Sequence, residues 1–233
     1  MFTTFNRRRS LLAVAGFVLS VAFLLALIVA PPARAVTEQE HLVNEAQLTL
    51  KKLLDDENLG NMPDFLNRAR AVYIIPALFK GGFVLGAEGG KGVLLAKGSD
   101  GTWSSPAFYN MAGGSIGLQI GGQVSEVVLT IMNDEALRAI LEDKFKMGGD
   151  LSIAVGPIGA GIEAGTTSNF DADVYAFSHA VGLFGGGSLE GSAIFINEED
   201  NQTYYGNAAP AEAILLERRF NNPQSEPLRK LLP

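Results

Sequence analysis

Glycine recurs inside the apolar segments of this chain, where strands usually carry side chains on both faces. Four such segments cover 81–95, 113–132, 151–165 and 174–196. In Ser115-Ile116-Gly117-Leu118-Gln119-Ile120-Gly121 the apolar residues fall on alternate positions, which is the period of a β-strand. Glycine on the other face costs backbone entropy. It is tolerated where a sheet bends sharply or where another backbone packs closely. A strongly curved, mostly antiparallel glycine-rich sheet or partial barrel satisfies both conditions.

Helices are expected to flank that sheet. Thr37-Glu38-Gln39-Glu40 is a capping box, and Leu42, Ala46, Leu50, Leu53 and Leu54 follow at helical spacing, so a helix is predicted over 37–58 with Gly60 as a stop. A shorter one is predicted over 64–71, capped by Asp64. Val72-Tyr73-Ile74-Ile75 reads as a strand that Pro76 interrupts. Asn133 can cap a third helix, with Leu137, Ile140, Leu141 and Phe145 as its buried stripe and Gly148-Gly149 closing it. A fourth starts at Pro210 and reaches Phe220. Residues 198–201 read as a solvated hairpin tip and 221–233 as a tail on the surface. The fold class is α+β, the sheet carrying about four flanking helices.

The first 35 residues follow a different pattern. Arg7-Arg8-Arg9 precedes an unbroken apolar stretch from Leu11 to Ala30, and Ala33-Arg34-Ala35 supplies a small-x-small cleavage signal. Arg8-Arg9-Ser10-Leu11-Leu12 also fits a loose twin-arginine pattern. The apolar stretch is twenty residues, enough to cross a bilayer core, so the leader is a signal peptide or an uncleaved signal anchor. The protein is expected to be exported and to work in the periplasm or cell envelope, with 36–233 as a single domain.

Composition narrows the function classes. The full chain has 18 basic and 25 acidic residues, a net −7. The leader holds four of the basic residues and none of the acidic ones, so 36–233 carries a net −11. A field of that sign repels phosphates, which argues against nucleic acid and against general attraction to an anionic membrane. There is no cysteine, which excludes a thioether lipid anchor, a disulfide framework and a thiolate metal site.

No constellation for catalysis stands out. Gly113-Gly114-Ser115-Ile116-Gly117, with Asp173 and His179 downstream, has the order of a nucleophile elbow, but the residues after the serine continue as a strand rather than a helix. His41 and His179 are distant and have no cysteine partners, so no metal set forms. Asp171-Ala172-Asp173 lacks a calcium-loop pattern and reads as a turn leading into a strand. Gly86–Gly92 lacks the phosphate-loop spacing. No enzyme activity, cofactor or metal is expected. One local charge feature remains: Arg68, Arg70, Lys80, Lys91 and Lys97 face only Glu88 within 68–97, a window of net +4. It reads either as solvated side chains at a sheet rim or as a small anion pocket for a phospholipid headgroup.

Several ordered blocks carry a family resemblance. Lys80-Gly81-Gly82-Phe83-Val84-Leu85-Gly86 leads to Gly89-Gly90-Lys91-Gly92-Val93 and Trp103-Ser104-Ser105-Pro106-Ala107-Phe108. Gln119-Ile120-Gly121, Ala154-Val155-Gly156-Pro157-Ile158-Gly159 and Ser178 follow, and then Gly182-Leu183-Phe184-Gly185-Gly186-Gly187-Ser188-Leu189-Glu190-Gly191. Over 43–206 the chain resembles the SYLF-domain family, the Ysc84-like actin-binding family. The resemblance implies a lipid-binding domain, phosphoinositide-selective in eukaryotic members, where a basic amphipathic N-terminal helix contributes to membrane contact and some members bind actin.

This chain departs from that pattern. Its first helix sets Lys51 and Lys52 against Glu38, Glu40, Glu45, Asp55, Asp56 and Glu57, and Ala160 stands where the family is expected to have Arg. Both departures argue against phosphoinositide selectivity. Glu190 is expected to fix a turn or pair internally. The resulting expectation is a non-catalytic protein that binds phospholipid or a membrane surface through the sheet and the basic window. A structural module with an envelope protein partner is the alternative. An outer-membrane barrel fits the glycine-rich texture, but the interrupting helices and the absence of a terminal aromatic strand argue against it.

Overall fold

The computed structural model describes residues 35–82, 85–116, 121–142, 145–146, 152–155, 172–183 and 191–233. Thr37–Pro233 is one compact unit. Both hydrophobic cores and every described strand lie inside it, so it holds what it needs to fold without the preceding residues. The leader, the Ala160 and Glu190 positions and most of 182–191 lie outside the described residues.

Helix α1 (Glu38–Leu54) opens with the expected capping box: the Thr37 hydroxyl accepts from the Glu40 amide at 3.1 Å and the Glu40 carboxylate accepts from the Thr37 amide at 2.9 Å. It stops at Leu54, and a 3₁₀ turn, Glu57–Leu59, precedes Gly60. Helix α2 (Met62–Arg68) begins two residues before Asp64, because Pro63 fits the first turn, where no amide partner is needed.

Strands β1 (Ala71–Gly82), β2 (Leu85–Ala96), β3 (Ala107–Ile116) and β4 (Gly121–Ile131) follow as successive antiparallel segments, and helix α3 (Asp134–Leu141) follows β4. The Asn133 side chain caps α3 by accepting from the Ala136 amide at 2.8 Å. The helix ends before Phe145, which instead begins the short strand β5 (Phe145–Lys146). Strands β6 (Ile153–Val155), β7 (Val174–Leu183) and β8 (Ala193–Ile196) complete one eight-stranded sheet in the order β5-β8-β3-β2-β1-β4-β7-β6. All pairings are antiparallel except β6 with β7. Among the described residues the sheet is open, with β5 and β6 as its edges, and with helices around it the fold is α+β.

Pro76 does not end β1. It sits between Ile75 and Leu78, where pairing with β4 shifts register, and pairing with β2 shifts across the same stretch. A central strand tolerates a proline only at such a bulge, because the ring nitrogen has no proton for the ladder.

Two further helices replace expected surface segments. Residues 198–201 are not a hairpin tip but the start of helix α4 (Glu198–Tyr205). Asn197 caps it by accepting from the Asp200 amide at 3.0 Å, and its acidic first turn complements the helix dipole. Asn201, fully buried, accepts from the Phe108 amide at 2.8 Å and so stands in for a strand partner. After helix α5 (Ala211–Leu215), the 221–233 segment forms helix α6 (Glu226–Arg229), and Leu228 and Leu232 are buried against the α1 side of the protein.

The helices cover both faces of the sheet. On one face Val72, Ile74, Val93, Phe108, Val128 and Phe177 pack beneath α1 and α2, whose Leu50, Leu53, Met62 and Phe65 are buried there. On the other face Tyr73, Leu94, Tyr109 and Leu129 pack with Leu137 and Ile140 of α3 and Ile214 of α5. The strand period explains the split, since neighbours such as Val72 and Tyr73 point to opposite layers.

Candidate functional site

The five basic residues of the 68–97 window do not converge. Arg68, Arg70 and Lys97 meet at one corner of the sheet: the Lys97 amide donates to the Arg70 carbonyl, and Lys97 Nζ donates to the Asn67 carbonyl at 3.0 Å. Lys97 also lies 5.3 Å from the Trp103 ring centroid, and the Arg68 guanidinium sits 4.9 Å from that of Phe65. Arg70 pairs with Asp134 at 2.8 Å. Arg68 and Lys97 hold no carboxylate among the described residues.

Lys91 and Lys80 stand apart from that corner. Lys91 bridges Glu38 of α1 at 3.1 Å and Asp200 of α4 at 3.2 Å, and its ammonium is held above its usual pKa, first by the Glu38 hydrogen bond. Lys80 pairs with Glu88 at 2.7 Å across β1 and β2, both side chains 10% exposed. The Ser192 hydroxyl donates to the same Glu88, and a Cβ at Gly113 would collide with that hydroxyl. Four carboxylates, three of them from outside the window, therefore hold Arg70, Lys80 and Lys91.

Other candidate residues resolve into structural roles. Residues 107–116 are strand throughout, so the Ser115 region lacks the turn a nucleophile elbow needs. Asp173, just before β7, accepts from Asn133 at 2.6 Å and from the Ser152 amide and hydroxyl at 2.9 and 2.8 Å. Burial raises its pKa, but those hydrogen bonds outweigh it and hold the carboxyl below its usual range. His179 Nδ1 lies 3.7 Å from Glu126, which also pairs with Lys52 at the end of α1. Among the described residues no group of His, Asp or Glu could hold a metal ion, and no helix is long and apolar enough to cross a membrane.

The feature that sequence reasoning missed lies at the other end of the α1-side face. Beyond the charged row containing Lys91 and Glu126, the register partners Ala193, Ala112, Gly89, Phe79 and Val124 form one transverse row, with Val181 of β7 beyond Val124 and Lys146 of β5 beyond Ala193. Phe79 is 59% exposed and Val124 38%. The next row holds Gly114, Ala87, Gly81 and Gly122. None of the nine positions from Ala193 to Val124 and from Gly114 to Gly122 carries a polar side chain. The signal was Pro76: without its bulge, strand alternation places Phe79 beside Tyr73 and Ile75 in the opposite core.

The structure thus defines an α+β domain built on one open, glycine-rich, mostly antiparallel sheet, whose α1 side is covered by helices at one end and by no described helix at the other. A profile of the Ysc84 family, described as Las17-binding protein actin regulator, matches residues 112–233. The chain belongs to this family, the SYLF family. It is 36% identical over 173 residues to LAS seventeen-binding protein 3 of Saccharomyces cerevisiae, covering 73% of this chain and 38% of that protein. It is likewise 36% identical over 173 residues to Protein YSC84 of the same organism, covering 73% and 37%. With SH3 domain-containing YSC84-like protein 1 of Homo sapiens it shares 34% identity over 166 residues, covering 71% and 48%. The chain therefore spans only 37% to 48% of the length of these three relatives.

Proposed function

We propose that this chain is a non-catalytic lipid-binding protein of the cell envelope, meeting phospholipid through its glycine-rich sheet, with cations of the 68–97 window as separate local contacts. The observation that carries the reading is the end of the α1-side sheet face that no described helix covers, where Phe79 is exposed and its row partners Val124, Gly89, Ala112 and Ala193 are apolar. SYLF membership supports it, since the resemblance implies a lipid-binding domain. The leader's basic and apolar pattern supports export to the periplasm or cell envelope.

Geometry separates the two contacts. Arg70 and Phe79 are nine residues apart along the β1 region, about 30 Å of extended chain. One leaflet of a bilayer offers about 15 Å of hydrocarbon. One lipid therefore does not reach from the bare end to the Arg68–Lys97 corner, and headgroup contact there is a second, weaker interaction.

A second reading has its own support. The yeast relative is named as a LAS seventeen-binding protein, and the family profile that this chain matches is described as Las17-binding protein actin regulator. On that reading the sheet serves as a protein-interaction module.

Flotation of residues 36–233 with neutral and anionic vesicles tests the lead reading. Co-flotation with phosphatidylcholine at low salt is expected. Absence of binding to every headgroup class sinks it and favours the protein partner. Arg68→Glu with Lys97→Glu is expected to lower only the additional binding to anionic vesicles.

A further inference from the structure

We propose that the bare end of the α1-side sheet face, centred on Phe79, docks on a phospholipid bilayer by entering its hydrocarbon rather than by pairing with headgroup charge. This rests on the lipid-binding reading above and assigns its contact surface.

Four observations point to hydrocarbon as the occupant. The nine positions in the two rows bear only hydrogen, methyl, isopropyl or benzyl side chains. Their backbone lies within paired strands, so the ladder already engages amides and carbonyls, and an apolar environment imposes no cost from open polar groups there. The bordering charges are paired with one another: Lys91 to Glu38 and Asp200, Glu126 to Lys52 and His179. Among the described residues the one further charge on the Phe79 row is Lys146, at the β5 edge beyond Ala193, so the surface between offers no charged patch to a protein partner. Three of the large apolar side chains exposed in this protein, Phe79, Val124 and Phe195, share this one face.

Area argues against a second copy. Nine positions, five in one row and four in the next, give roughly 290 Å² from the spacing of strands and residues. That is well below the roughly 800 Å² per partner that a stable dimer buries. A bilayer contact has no such minimum, because a single inserted aromatic adds affinity in proportion to its buried apolar area.

Helix α1 starts at the border of this surface: Glu38, its first residue, is held 3.1 Å from Lys91, two residues along β2 from Gly89 of the apolar row.

The chain has no cysteine, so a single introduced thiol can report on one position. Phe79→Cys labelled with the fluorophore NBD, in residues 36–233 and in the full chain, is mixed with phosphatidylcholine vesicles. A several-fold rise in emission with a blue shift is expected, reversed by vesicles with brominated acyl chains. The same label at Leu48→Cys, exposed on α1, is expected to stay water-like. Phe79→Asp is expected to lower vesicle partitioning of residues 36–233 about tenfold or more, with an unchanged circular dichroism spectrum.

Co-flotation of wild-type 36–233 with a water-like label at position 79 overturns this inference and leaves the lipid-binding reading standing. Absence of any co-flotation overturns both. A label response that follows protein concentration instead of lipid, with disulfide-linked dimers of the unlabelled Phe79→Cys variant, assigns the surface to a second copy and overturns the bilayer.

Discussion

The same strands build two unlike halves of one sheet face. At one end Val72, Ile74, Val93, Phe108 and Val128 are buried under α1 and α2. At the other, Gly81, Ala87, Gly89, Ala112 and Gly122 replace them at equivalent alternate positions, and the described helices pack elsewhere. Side-chain volume is the difference. A helix gains stability over a sheet by interdigitating with branched side chains, and a glycine–alanine surface offers little apolar area to bury. The first half is committed to folding, and the second leaves its apolar side chains, Phe79 above all, exposed.

Substitutions in the covered half should have the largest effects. Leu50→Ala, at a fully buried position of α1, is expected to lose about 4 kcal/mol of stability in urea unfolding. A loss as small as that of Phe79→Ala would erase the distinction between the halves.

Glycines should divide by what their missing side chain would meet, and Gly92, which faces the opposite core, contrasts with Gly114 on the bare half. A Cβ at Gly92 would collide with the Ile74 carbonyl and come within 2.7 Å of the Tyr73 ring, so Gly92→Ala is expected to cost about 3 kcal/mol. At Gly114 the nearest atom to a Cβ is the Gly86 carbonyl oxygen at 3.7 Å, and Gly114→Ala should stay within about 0.5 kcal/mol. Equal thermal shifts for the two variants would contradict this account.

The opposite face at the bare end offers a sharper test. Lys80→Met leaves Glu88 with little exposure and no cation, at an expected cost of about 2 kcal/mol; the double variant Lys80→Met/Glu88→Met should recover most of that loss. A double variant as unstable as the single one would mean that the pair does more than neutralise itself.

The smallest effect concerns pH. Asp173 ionises more readily in the folded protein than in the unfolded chain. Its contribution is therefore present above the usual carboxylate pKa and lost as pH falls through the lower folded value. Asp173→Asn should flatten the acid limb of a stability-against-pH curve while leaving the bare surface unchanged. An unaltered acid limb would show that other carboxylates dominate there.

Much of the fold was legible because its signals are local. The Thr37–Glu40 capping box, the Asn133 cap and the alternation of strands each depend on residues within one turn or one pleat. The 198–205 helix was not legible because two of its three buried residues, Asp200 and Asn201, are polar and only Tyr204 is aromatic: the partners of the polar pair, Gln39, Lys91 and Phe108, lie about 90 residues or more away in sequence, so no apolar stripe marks it. Helix α6 is a single turn whose burial depends on α1, at the other end of the domain.

The candidate site was legible in texture and not in placement. By itself the sequence determined the α+β class, the glycine-rich strands, the family resemblance and a short stretch rich in cations. Only the tertiary structure decided that Asp134, Glu38 and Asp200 come back to neutralise Arg70 and Lys91, because ion pairing depends on distance in space and not along the chain. Only the tertiary structure decided which way Phe79 points. A one-residue shift at Pro76 moves the following side chains to the opposite face, and that places an aromatic ring on the bare half of the sheet rather than in the core.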